Sequence, residues 1–217
     1  DLPKVLLKYS GKPLLQRTIE ILRDEGIKNI TIVVSHMKEK IMEFFGDGNK
    51  FGVHIQYVAQ QNPKGGTADA TGVARERIHG KKFLLIYGDN IFHPNTLEEM
   101  LQTHENFDGV ICGKEVENPN KFGILELDGV YVSRIHEKPE NPPTNIANTG
   151  LFILPKEIFS AIDETKLSPR GEYELTDSMQ ILINRGRKIG CIIAKDFWYD
   201  PRDKEEIQQA DEMLRKQ

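Results

Sequence analysis

The stretch Phe83-Leu84-Leu85-Ile86-Tyr87-Gly88-Asp89-Asn90 is apolar over the length of a strand and stops at Gly-Asp-Asn. A run of this kind suits the middle of a parallel sheet, and ligands of open α/β sheets bind beyond the carboxyl ends of their strands. Asp89 therefore stands where a carboxylate could hold a divalent cation, with Gly88 allowing close backbone approach. Gly-Asp-Asn is equally good turn chemistry, so both readings stand. Lys4, after Pro3 and a short loop before the first helix, could reach a phosphate at the sheet edge, or could be an ordinary surface lysine. The loop Gln61-Asn62-Pro63-Lys64-Gly65-Gly66-Thr67-Ala68-Asp69 enters a helix, whose amides favour polar or anionic ligands. Gln61 offers the donor and acceptor that a pyrimidine imide edge requires, although a helix cap after a flexible turn explains the same residues. Asp200, after Phe197-Trp198-Tyr199, is a second carboxylate ending an apolar run, or a helix-start residue.

The elements that must position these groups read as one domain over residues 1–217. A helix from Pro13 to Glu25 is closed by Gly26, followed by a strand Asn29–Val34, a helix Lys38–Phe45 and a strand His54–Val58. A helix Thr67–Arg77 then leads to the strand at Phe83, and the alternation argues for a doubly wound, largely parallel sheet. Beyond Asp89 the sequence predicts a helix Thr96–His104 and a strand Gly109–Cys112. A hairpin of Phe122–Asp128 and Val130–His136 turns at Asp128-Gly129. The remainder reads as strand Ile146–Leu154, helices Lys156–Ile162 and Ser178–Arg185, strand Ile189–Ile193 and a closing helix Asp203–Arg215. Asp177 with Gln180 three residues on resembles a capping box.

Composition narrows the function. Net charge is −4 and basic residues are dispersed along the sequence, unlike a nucleic-acid binder. No apolar run approaches the roughly 20 residues that span a bilayer. Cys112 and Cys191 lie in strand-like apolar runs and read as buried small hydrophobes ahead of a disulfide or ligand pair, which fits a reducing cytoplasm best. His36, His54, His79, His93, His104 and His136 show no metal-type or triad spacing.

In combination these motifs resemble the sugar-1-phosphate nucleotidylyltransferases, of the glucose-1-phosphate thymidylyltransferase and uridylyltransferase kind. The likeness runs through Pro3-Lys4 with Gly11-Lys12-Pro13-Leu14, the Gln61–Asp69 loop, and Tyr87-Gly88-Asp89-Asn90. It continues in Lys121-Phe122-Gly123, Glu137-Lys138-Pro139, Asn148-Thr149-Gly150, Gly171 to Asp177 and Trp198-Tyr199-Asp200. The resemblance implies a three-layer, Rossmann-like, mostly parallel mixed sheet, the nucleotide-diphospho-sugar transferase fold. It implies Mg²⁺ on Asp89 and Asp200, Lys4 on the nucleotide phosphates and Lys138 on the sugar phosphate. Gln61, Gly66 and Thr67 would meet the nucleotide, and Asn90, Gly123, Glu137, Asn148 and Thr149 the sugar. The substrates would be dTTP or UTP and a sugar 1-phosphate, glucose 1-phosphate foremost, in an enzyme needing neither nucleic acid nor membrane; self-association is left open. The anionic sugar phosphate needs no general base, so catalysis rests on holding two anions together.

Two departures set limits. Arg202-Asp203-Lys204 replaces the family's Gly-Thr-Pro turn, which would suit the alternative of a regulatory, non-catalytic sugar-nucleotide-binding subunit. A glycosyltransferase would want a second Asp near Asp89, where this sequence has Asn90-Ile91. The family's opening strand and Gly-x-Gly-x-Arg loop are not among these 217 residues, and a single catalytic domain without the left-handed β-helix of some relatives is expected. About 20 upstream residues are expected to carry an inner strand and the glycine loop. Either a gap beside the Ile30–Val34 and Phe83–Tyr87 strands or another segment filling it is expected, and a chain starting at Asp1 should turn over little.

Overall fold

The computed structural model describes residues 2–62, 64–201 and 204–215. The chain opens with a single 3₁₀ turn, Lys4–Leu6, and a small hairpin of β1 (Lys8–Tyr9) and β2 (Lys12–Pro13). Next come α1 (Leu14–Asp24), β3 (Asn29–Val34), α2 (Lys38–Phe45), β4 (His54–Ala59), α3 (Gly66–Gly72) and β5 (Lys82–Ile86). Then follow β6 (Ile91–Phe92), α4 (Pro94–Thr103), β7 (Gly109–Glu115), β8 (Gly123–Asp128), β9 (Tyr131–Glu137) and β10 (Ile146–Pro155). The chain finishes with α5 (Ile158–Glu164), α6 (Leu175–Asn184), β11 (Ile189–Ile193), β12 (Trp198–Tyr199) and α7 (Lys204–Arg215).

The central sheet runs β5-β10-β7-β11-β9-β8. Side-chain alternation along its strands builds two cores, one on each face. Phe83 and Leu85 of β5, Ile111 of β7, Phe152 and Leu154 of β10, and Cys191 of β11 join Leu175, Met179 and Leu182 of α6 and Ile158 and Phe159 of α5. Leu84 and Ile86, Val110 and Cys112, and Leu151 and Ile153 point the other way, onto Leu97 and Met100 of α4 and Leu22 of α1. Helix, sheet and helix make the three layers expected.

The expected α/β mixed sheet is present, with a smaller parallel share than the strand–helix alternation suggests. Strands β3 and β4 pair in parallel, as do β7 and β11, while β10 runs antiparallel between β5 and β7. Strand β5 is consequently bonded only to β10 among the described residues, and its residues are half-buried instead of lying in a sheet interior. Strand β3 is likewise bonded only to β4, so β3 and β4 form a separate two-stranded sheet, and no described strand pairs with the other edge of β3 or of β5. The capping-box reading of Asp177 is corrected: α6 starts three residues earlier, at Leu175, with Glu174 at its cap. Gln180 is used elsewhere, accepting from the Ile135 amide at 2.9 Å and donating to Asn184 at 2.9 Å.

Strand β10 is irregular where it passes the carboxyl end of β5. Its register with β7 shifts between Asn148 and Phe152, a bulge in the strand. Gly150 sits there at φ +78°, where a Cβ would lie 2.5 Å from both the Asn90 amide nitrogen and the Tyr87 ring. Asn148 braces the turn by accepting from the Gly150 amide at 3.0 Å.

No described helix is long and apolar enough to cross a membrane. Both cysteines are free and buried, and they face opposite sides of the sheet on neighbouring strands. Burial pushes the Cys112 thiol up to about 11 and Cys191 up to about 12. Both are therefore protonated at pH 8, and the thiolate is the nucleophile. Native protein treated with iodoacetamide at pH 8 is expected to stay unmodified by mass spectrometry, and denatured protein to take up two labels; rapid native labelling would contradict this packing.

Candidate active site

Two carboxylates that lie far apart in sequence meet at one ammonium. Lys4 Nζ is 2.9 Å from Asp89 Oδ2 and 3.5 Å from Asp200 Oδ1. Asp89 stands just past the carboxyl end of β5, and Asp200 just past β12. Val5, beside Lys4, and Leu15 of α1 approach Gly88, packing the first turn of the chain against the end of β5. The side chains of Lys4 and Asp89 are 31% and 43% exposed, so this ion pair contributes only about 0–1 kcal/mol and does not by itself hold the site.

The stronger fastening is the carbonyl of Thr149 in the β10 bulge. It accepts both the side-chain amide of Asn90 and, at 2.9 Å, the indole N–H of Trp198. Antiparallel pairing of β12 with β6 joins the same two segments. Thr149 is itself buried and donates its hydroxyl to Cys112 O at 3.0 Å.

Beside this junction a cavity of about 170 Å³ is lined by Thr67, Tyr87, Asn90, Gly123, Glu137, Lys138, Asn148, Thr149, Arg170, Glu174, Thr176, Trp198 and Asp200, among others. Ligand sites for drug-sized molecules run to roughly 300–1,000 Å³, so this one suits a single sugar ring better than a whole nucleotide sugar. Glu137 faces in from the end of β9, opposite Gly123 of β8, where any side chain would crowd its carboxylate at 3.2 Å. Its two oxygens are oriented by Thr176 Oγ1 at 3.1 Å and Arg170 at 3.2 Å. Lys138 adopts a left-handed φ of +43° directly before Pro139, an uncommon conformation that turns the chain at the cavity rim. Its amide donates to Phe122 O at 3.1 Å.

Of the residues expected from sequence, Thr67, Asn90, Gly123, Glu137, Lys138, Asn148, Thr149 and Asp200 line this cavity, and Lys4 and Asp89 adjoin it through Asp200. Gln61 does not line it; it lies in an exposed loop beyond β4. Gly66 is also outside, at φ +81°, and a Cβ there would lie 2.5 Å from the Tyr173 carbonyl, so packing against that backbone already demands glycine. Thr67 ties α3 to α6 by accepting the Leu175 amide at 2.9 Å. Pro63, Arg202 and Asp203 lie outside the described residues, as does the geometry of the Arg202-Asp203 departure.

Sequence reasoning missed Arg170, Glu174, Thr176 and Tyr87. Arg170 bridges Glu137 and Glu174, each at 3.2 Å, and Glu172 lies at 3.9 Å. Burial raises the Glu174 carboxyl above its ordinary value, and Glu137 adds to the shift. Burial likewise raises the Tyr87 phenol. The signal for Glu174 and Thr176 lay inside Gly171–Asp177, where helix capping explained the pattern too easily.

Comparison with known proteins agrees with this geometry. The nucleotidyl transferase family model matches residues 1–216. The chain is 35% identical to a low-salt glycan biosynthesis nucleotidyltransferase of Haloferax volcanii, over 98% of this chain and 60% of that protein. It is 36% identical to a bifunctional GlmU protein of Methanocaldococcus jannaschii, over 98% of this chain and 49% of that one. The chain thus spans about half to three fifths of the length of these curated relatives. A UTP–glucose-1-phosphate uridylyltransferase of Haloferax volcanii is 32% identical, over 96% of this chain and 88% of its own length. Among solved structures, a UDP-glucose pyrophosphorylase complexed with UDP-glucose superposes with a TM-score of 0.87 at 25% identity, covering 99% of this chain and 91% of that one. A protein described as a glucose-1-phosphate thymidylyltransferase of Bacillus anthracis gives 0.85 at 28%, covering 98% and 86%. On its sequence and its fold alike, the chain belongs to the nucleotidyl transferase family, among the sugar-1-phosphate nucleotidylyltransferases.

Proposed function

We propose that the protein transfers a nucleotidyl group from a pyrimidine nucleoside triphosphate, dTTP or UTP, to a sugar 1-phosphate, glucose 1-phosphate foremost. The observation that carries this reading is the meeting of Asp89, Asp200 and Lys4 beside a sugar-sized polar cavity. A phosphate oxygen of the sugar phosphate forms a bond to the α-phosphorus as the bond to pyrophosphate breaks. The attacking oxygen is already anionic, so no proton need be removed.

Each residue then has a physical task. Glu137 and Asn90 take sugar hydroxyls, in a cradle narrowed by Gly123, Asn148 and Thr149. Lys138 and Arg170 bring positive charge to the sugar phosphate, and Lys4 to the nucleotide phosphates. Gln61 pairs with the imide edge of the base, and Gly66 and Thr67 shape the start of α3 near it. The names of the Haloferax uridylyltransferase and of a Xanthomonas campestris glucose-1-phosphate thymidylyltransferase, 34% identical over 84% of this chain, support pyrimidine and glucose. A cytoplasmic setting, where thiols stay reduced, suits Cys112 and Cys191.

The donor set fits a magnesium ion. Two carboxylates from distant segments already converge on one cationic nitrogen, and hard oxygen donors of this kind, completed by phosphate oxygens and water, are what Mg²⁺ takes. Asp89 and Asp200 would hold it, and when bound it would neutralise charge on the phosphates.

Asp89→Asn and Asp200→Asn should each lower kcat at least about 100-fold, the scale of losing one charge-stabilising group, while both partly exposed sites leave the melting temperature nearly unchanged. Pyrophosphate release by the full protein, with either variant near wild-type turnover, would sink the metal assignment. Over a panel of nucleoside triphosphates and sugar 1-phosphates, release is expected with UTP or dTTP. A strong preference for ATP or GTP would rule out the Gln61 argument, and release with no pair would favour a regulatory subunit.

A further inference from the structure

A second hollow, of about 460 Å³, opens at the other end of β5 from Asp89. Its walls bring together His79, Lys81, Lys82, Lys156 and Arg187, basic residues dispersed along the sequence of a chain whose net charge is −4. The two carboxylates in the lining are already engaged. Asp108 accepts the Lys188 amide at 2.8 Å, and Glu157 pairs with Arg187 at 2.7 Å and with Arg185 at 3.8 Å. Lys82 is spent on the carbonyls of His104 and Phe107, at 3.0 and 2.7 Å.

Lys81 and Lys156 are different. The β10–β5 register places Pro155 opposite Lys82, and the Lys156 amide donates to Lys81 O at 2.8 Å, so the two lysines stand directly across from each other. Neither side chain has an ion pair or hydrogen bond among the described residues. Both lie one residue beyond the paired ends of β5 and β10, and two like charges placed side by side there repel each other. Such a pair is relieved by an anion that both ammonium groups can reach, with spare N–H groups of Arg187 beside them.

We propose that this hollow is a second anion site, distinct from the transfer site, which takes the phosphate group of a small ligand. The ligand is either free phosphate or a phosphate monoester whose organic part fills the remaining volume. Its anchors are Lys81 and Lys156, neither of which belongs to the transfer machinery.

The test is thermal unfolding of the full protein in inorganic phosphate against sodium chloride at matched ionic strength, repeated with glycerol 3-phosphate. Wild type, Lys81→Gln/Lys156→Gln and the transfer-site variant Lys138→Gln are compared, with affinity read from the rise of Tm with ligand concentration. The double variant should bind phosphate at least about tenfold more weakly, the least that losing two charge-assisted hydrogen bonds implies, and should melt no lower than wild type in chloride. Lys138→Gln should bind phosphate as wild type does. Tighter binding of glycerol 3-phosphate identifies a monoester as the ligand, and equal binding identifies free phosphate. Retained affinity in the double variant with loss in Lys138→Gln would assign the phosphate effect to the transfer site and overturn the proposal. So would the absence of any phosphate effect beyond that of chloride.

Discussion

The carbonyl of Thr149 is the fixed point from which the site is laid out. In a regular strand it would bond into the ladder with β7, but the bulge between Asn148 and Phe152 releases it. It then accepts from Asn90, which follows Asp89, and from Trp198, two residues before Asp200. A buried backbone oxygen satisfied by two donors is costly to disturb, since any displaced donor or acceptor loses about 1–3 kcal/mol of desolvation. The half-exposed ion pairs of Lys4 are several-fold weaker, so the ammonium reports where the carboxylates are and does little to put them there. The bulge depends in turn on Gly150, because no side chain fits at that left-handed position against Asn90 and Tyr87.

Charge is arranged around this point with one logic. Each cation lining the cavity's wall near Glu137 is paired with a carboxylate, Lys138 lying 4.0 Å from Glu137. Glu137, Glu172 and Glu174 surround the single guanidinium of Arg170, and the burial that raises Glu174 makes that guanidinium the natural counter-charge. Thr176 completes the orientation of Glu137 from the first turn of α6. These side chains are already held by their partners, so little of a ligand's binding energy need be spent on rearranging them.

Local signals made much of this arrangement readable in the sequence. The apolar run ending at Asp89, the period of α1 and the Asp128-Gly129 hairpin were all legible because neighbouring residues decide them. The antiparallel placement of β10 between β5 and β7 was not, since strand order follows from contacts dozens of residues apart. That placement also explains why β5, a continuous apolar run, lies at the end of the bonded strands and not in the middle. Arg170 escaped notice because its meaning depends on Glu137 and Glu174, which only the fold brings within 3.2 Å. Asp177 and Gln180 matched a capping pattern by type, yet burial of Leu175 and Thr176 extends the helix past it. Gln61 shows the opposite case, a residue whose chemistry suggests a role that its exposed position neither uses nor forbids.

Trp198 is the only tryptophan in the chain, so its indole reports on the Thr149 junction without ambiguity. The decisive measurement is indole N–H exchange by NMR, taken together with tryptophan emission and turnover, in Gly150→Ala. Strain of about 1–2 kcal/mol from the left-handed backbone, added to the contact with Asn90 and Tyr87, should break the carbonyl's two hydrogen bonds. The indole N–H should then exchange faster, emission should shift to the red and turnover should fall steeply, with far-UV circular dichroism unchanged. A protected indole in the variant, or a freed indole with full turnover, would show that Asp89 and Asp200 are positioned by something other than the bulge.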